Sequence, residues 1–207
     1  MFQQYRPERF TKAVLNLLII NGILFLATMV IGSKYGISLE KQLALYFPLC
    51  PEFKWYQLIT HMFMHGSIMH ILLNMYGLWL FGSKLESLWG TQRFLAFYFI
   101  CGIGAFLMHW MVGYLGYTEL SPIIGASGAV SGLVVAYGYL FRNSQFMIIP
   151  IPVPIKAKYL VLILAAFDLV FGIIGNDGIA HFAHLGGMLA GFILIIYWNK
   201  TNRNTLY

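Results

Sequence analysis

The chain has 207 residues, 59% of them hydrophobic and only 10% charged, against about 25% charged in soluble domains. A chain of this size folded in water could not hide so much apolar surface, which excludes a soluble enzyme, a disordered chain, a disulfide scaffold and a basic nucleic-acid binder. What remains is an all-α polytopic membrane protein. Its net charge of +6 then sets orientation in the lipid bilayer, and no nucleic-acid partner is expected.

The polar start MFQQYRPERFTK does not read as a cleavable signal peptide, because the apolar run behind it is long enough to stay in the membrane. A helix needs about 20 mainly apolar residues to cross a bilayer. Six segments approach this, at 13–32, 61–81, 91–113, 125–141, 158–175 and 180–198. Between the first two, the loop 33–58 carries Tyr35, Tyr46, Phe47, Phe53, Trp55 and Tyr56, aromatics that suit the membrane–water interface. The whole chain, 1–207, reads as a single membrane domain with short tails at 1–12 and 199–207.

Ten Lys and Arg fall on one side of these spans: Arg6, Arg9, Lys12, Lys84, Arg93, Arg142, Lys156, Lys158, Lys200 and Arg203. Only Lys34, Lys41 and Lys54 fall on the other. This asymmetry predicts that both termini are cytoplasmic. Cys50 lies in a loop and Cys101 in an apolar run, so neither a disulfide nor a metal site is expected from them.

On this topology the fourth and sixth spans both start at the outer face. Ser127 and His184 lie about 3–7 Å along them, at matched depth. A lone serine in a span often bonds its own helix carbonyl, and a lone histidine often only packs. Here each is followed by glycines four apart, Gly128/Gly132 and Gly187/Gly191. Small residues at that spacing let helix backbones come close, and a serine nucleophile needs a base within about 2.6–3.2 Å.

In the second span His70 and Asn74 are four residues apart and share a face. Both can donate hydrogen bonds, as an oxyanion hole requires. They reach the depth of Ser127 if the helix begins near Gly66, which leaves His61 and His65 in the approach segment, bonding loop backbone. Asp168, inside the fifth span, needs a partner or water. Analogy with soluble serine proteases would make it the orienter of the histidine. His109 reads as an interfacial residue, His181 as a loop contact at the mouth of the sixth span, and Glu86 and Arg93 as partners of the 82–93 connection.

The spacing His61, His65, His70, Asn74, the serine of Gly125-Ala126-Ser127-Gly128, and Ala183-His184-Leu185-Gly186-Gly187 together resemble the rhomboid family of intramembrane serine proteases. Residues Trp55 to His61, Leu85-Glu86, Trp89-Gly90, Arg93-Phe94 and Phe167-Asp168-Leu169 extend the likeness over about 50–191. The resemblance implies a six-transmembrane-helix rhomboid-like bundle. In it Ser127 is the nucleophile and His184 the base of a dyad, without Asp168 as a third member. His70, Asn74 and the Ser127 N–H form the oxyanion hole.

The resemblance further implies single-span membrane proteins as substrates, no cofactor and no metal, a bacterial plasma membrane, and a gate formed by the fifth span with the Gly175–Gly178 connection. One departure stands out. Many bacterial relatives carry a tyrosine four residues after the nucleophile, packing on the histidine, where this chain has Ser131. The alternative is a non-catalytic rhomboid-like protein that binds and guides membrane helices, although such relatives typically lack the serine or the histidine. A haem or metal protein using the histidines lacks a supporting Cys or carboxylate cluster. A transporter would show paired broken helices.

Overall fold

A computed structural model describes residues 10–119, 121–148, 151–175 and 178–201. Arg6, Arg9 and Arg203, and Asn176 and Asp177 of the expected gate connection, lie outside the described residues. The first helix, α1 (Lys12–Tyr35), exposes Ile19, Ile20, Ile23, Leu26, Met29 and Val30, as a lipid-facing surface requires. Its first-turn N–H groups have no partner within the helix. They are met by Glu86, whose carboxylate accepts from Ala13 N (2.8 Å), Val14 N (2.9 Å) and the Thr11 hydroxyl. Thr91 Oγ1 donates to the same carboxylate at 2.6 Å. Negative charge at a helix N-terminus is favourable, so a residue expected to tie the 82–93 connection also caps α1.

The loop 33–58 is more than an interfacial ribbon. It forms the short helix α2 (Leu39–Leu43) and leads into α3 (Gln57–Thr60). Trp55 and Tyr35 are exposed, but Leu45 and Phe47 are buried. Leu45 exchanges two backbone hydrogen bonds with Ile123, each 3.0 Å. Gln57, also buried, accepts from Lys54 N and donates to the carbonyls of Gln42 and Glu52, at 3.1–3.2 Å.

The second expected span, 61–81, has its helix start near Gly66, as its depth required, and is corrected at its far end. His61–Phe63 form a separate 3₁₀ turn, and α4 (Ile68–Gly77) starts where the Ser67 hydroxyl accepts from His70 N. A π-helical turn over Leu78–Gly82 then carries the chain directly into α5 (Ser83–Trp89). There is no open connection at 82–93: the helix runs on until Gly90, whose φ of +78° allows the reversal into α6 (Thr91–Tyr114).

Helix α7 (Ser127–Leu140) is buried on nearly every side, as an all-round apolar helix should be. It packs between α6 and α9 (His181–Thr201). The core is built from Phe94, Phe97, Tyr98 and Cys101 of α6, Leu133 of α7 and Ile195 of α9, closed by Val14, Leu78 and Leu85. Backbone contact is achieved through the paired glycines: a Cβ at Gly187 would fall onto the carbonyl oxygen of Gly128, and one at Gly191 would stand 3.0 Å from Gly132 Cα.

The stretch 142–158 corrects the all-α expectation. It holds an antiparallel hairpin of β1 (Gln145–Ile148) and β2 (Ile151–Lys156), with Met147 opposite Pro154. Proline fits because each strand of a two-stranded sheet has an unpaired edge that needs no N–H. The hairpin leads into α8 (Ala157–Ile174), whose buried residues are Ala157, Leu160 and Asp168.

By length and hydropathy α1, α6, α8 and α9 can each cross a membrane. The protein is thus a largely helical membrane protein, with four such helices among the described residues. The other two expected spans are the segmented α4–α5 path and α7, which has only 14 residues.

Candidate active site

Ser127 is the first residue of α7 and His184 the fourth of α9. The close approach of the two glycine faces brings their side chains together, with His184 Nε2 2.9 Å from Ser127 Oγ. Both are partly buried. Helix α7 is about 21 Å long, shorter than a hydrocarbon core of about 30 Å. The chain just before Ser127 is irregular and is held by contacts with the rest of the protein. Ile123 pairs with Leu45, and Gly125 N donates to the His61 carbonyl at 2.8 Å.

Gly125 is required where it stands. Its φ is +113°, and a Cβ there would lie 2.7 Å from His70 Nε2 and 3.8 Å from Ser127 Oγ. The His70 ring and the Ser127 hydroxyl thus both lie beside Gly125. Asn74, buried one turn further along, donates its side-chain amide to the His70 carbonyl at 2.8 Å. Among the described hydrogen bonds it does not reach Ser127. The N–H groups of Ser127 and Gly128, in the first turn of α7, have no acceptor within the helix, and the helix dipole there favours negative charge. A cavity of about 20 Å³, bordered by His61, Ile123, Gly125, Ser127 and Ala183, has room for about one water.

The approach histidines are structural. His61 Nδ1 donates to the Gln57 carbonyl at 2.8 Å, and its burial pushes the imidazole down to about pKa 4. His65 is buried with its ring edge-on to His70, centroids 5.0 Å apart. Burial first, and then its neighbour His70, pushes it down to about 4 as well. His109, expected at the interface, is buried in the protein beside Phe47 and hydrogen-bonds the Ser121 carbonyl at 3.4 Å. Arg93 lies over the Trp198 ring at 4.5 Å.

His181 is the residue the sequence reading passed over. It is buried, with Nδ1 2.8 Å from Asp168 Oδ1, and the same oxygen lies 2.9 Å from His184 Nδ1. The dyad reading gave Asp168 no part, yet it meets the far side of the His184 ring. The signal that could have found this was the i, i+3 spacing of His181 and His184, which stacks both on one helix face. Asp168, His181 and His184 also form the one cluster among the described residues whose donors could hold a metal. The hydrogen bonds just given already engage those donor atoms.

The profile of the Rhomboid domain family matches residues 52–200. Presenilin-associated rhomboid-like protein A, mitochondrial, of Danio rerio is 31% identical over 87% of this chain and 48% of its own length. The Bacillus subtilis rhomboid protein YdcA is 32% identical over 68% of this chain and 66% of its own. Rhomboid-like protease 3 of Toxoplasma gondii is 25% identical over 91% and 70%. The chain belongs to the rhomboid family, which includes serine proteases. It spans under half the length of the Danio rerio relative.

Proposed function

We propose that this chain is an intramembrane serine endopeptidase that hydrolyses a peptide bond in or near the transmembrane segment of single-span membrane proteins. The observation that carries the reading is the 2.9 Å approach of His184 Nε2 to Ser127 Oγ at the start of a short helix. In the proposed reaction His184 takes the Ser127 proton as Oγ attacks the scissile carbonyl. The oxyanion forms against the Ser127 N–H, His70 and the remaining Asn74 N–H. The imidazolium then protonates the leaving amine. A water attacks the acyl-enzyme, with His184 again as base, and frees Ser127. One oxyanion donor is worth about 3–4 kcal/mol of barrier. No cofactor or metal enters these steps.

Six crossings are proposed, the α4–α5 path and α7 being added to the four long helices, with both termini cytoplasmic. The proposed residence is a bacterial plasma membrane. Localising a tagged chain decides between that and the mitochondrial setting named for the Danio rerio relative. The catalytic test is cleavage of a model single-span protein in liposomes, together with labelling by a fluorophosphonate. Wild type should cleave and label, while Ser127→Ala should do neither and His184→Ala should lose at least about 10³-fold. Wild type that binds the substrate helix without labelling or cleaving would instead establish the non-catalytic, helix-guiding alternative.

A further inference from the structure

Asp168 is the one buried residue in the outer two-thirds of α8, a helix whose other side chains there are exposed or half-exposed. A charge at that depth is costly unless satisfied. Its Oδ1 lies 2.8 Å from His181 Nδ1 and 2.9 Å from His184 Nδ1. A carboxylate only accepts, so each imidazole presents Nδ1–H to it. For His184 this fixes the tautomer: with Nδ1 protonated, Nε2 carries the lone pair that faces Ser127 Oγ at 2.9 Å. The ring also needs such a tether. The aromatic contact made by His184 among the described residues is the edge of His181, at 6.1 Å.

We infer that Asp168 is a positioning residue for His184, completing a Ser127–His184–Asp168 line, and that His181 holds the carboxylate in place from the neighbouring turn of α9. The inference rests on the proposed protease reading. It ties the two helices together, because the α8–α9 contact that keeps the outer part of α8 seated is also the one that aims the base. Displacing α8 would release the histidine tautomer along with the helix.

The test measures substrate cleavage and fluorophosphonate labelling in liposomes for wild type, Asp168→Asn, Asp168→Glu and His181→Ala. An asparagine can donate to Nδ1 and favour the opposite tautomer, so Asp168→Asn should lower kcat by as much as about 10⁴-fold. KM should be little changed, and labelling should slow in parallel. Asp168→Glu should recover part of kcat, and His181→Ala should cause a smaller fall in kcat and labelling. A purely structural tie would move KM and thermal stability but leave the labelling rate of folded protein intact.

Wild-type kcat and labelling in folded Asp168→Asn would overturn the inference and leave the protease reading standing. Should Asp168→Asn not fold, unchanged labelling in His181→Ala overturns it instead. Stoichiometric zinc in purified wild type, lost in His181→Ala, would also overturn it by making these side chains metal ligands. Labelling that survives in Ser127→Ala would refute the protease reading itself.

Discussion

His61 carries more of the site than its distance from the chemistry suggests. Its backbone carbonyl holds Gly125, and its ring, buried and neutral, bonds the Gln57 carbonyl. With a folded pKa of about 4 against 6.5 in the unfolded chain, the unfolded state binds the extra proton between those values. Stability is therefore full above about pH 6.5 and falls as the pH drops towards 4. His61 alone accounts for up to about 3 kcal/mol across that window, and His65 adds in the same direction. The thermal midpoint in detergent should fall steadily from pH 7 to pH 4. His61→Gln should flatten part of that slope while lowering the midpoint at neutral pH, because the Gln57 carbonyl, which keeps the His61 backbone N–H, loses the imidazole donor.

Among the elements, α7 and α9 depend on glycine where α1 does not. In Gly187→Ala the new methyl would meet the Gly128 carbonyl oxygen, a backbone atom that cannot swing aside. The helices would part, and Ser127 and His184 with them. We expect loss of cleavage and of labelling, with a lowered thermal midpoint. Gly22 in α1 has open space around its Cβ position. Gly22→Ala should retain full activity and gain up to about 1 kcal/mol from helix propensity. The pair of variants separates packing from propensity within one protein.

Taken as a whole, the molecule divides its polar ends unequally. On the proposed topology, the ten-to-three distribution of Lys and Arg sets the 142–158 hairpin on the side of the termini and the 33–58 loop opposite. The native cysteines give a direct test, since Cys50 is partly exposed in that loop while Cys101 is buried in α6. In intact cells a membrane-impermeant maleimide should label Cys50. In a Cys50→Ser background, Asn143→Cys at the exposed start of the hairpin should label only after the membrane is opened. The reverse pattern would invert the proposed topology.

Much of this was legible along the chain. Composition alone gave the membrane class, hydropathy gave the long helices α1, α6, α8 and α9, and the glycine spacing anticipated the α7–α9 approach. These are one-dimensional signals, fixed by bilayer thickness and helical repeat. What only the tertiary structure decided were pairings set by how helices pack. Asp168 meets histidines 13 and 16 positions away, and Glu86 caps a helix start more than 70 residues earlier. The π turn that fuses α4 to α5 and the short hairpin were hidden too, because their patterns are brief and compete with the apolar signal around them. A buried charge announces that it needs a partner, but which partner answers is settled by packing, since a desolvated group binds whatever donor the fold brings within 3 Å.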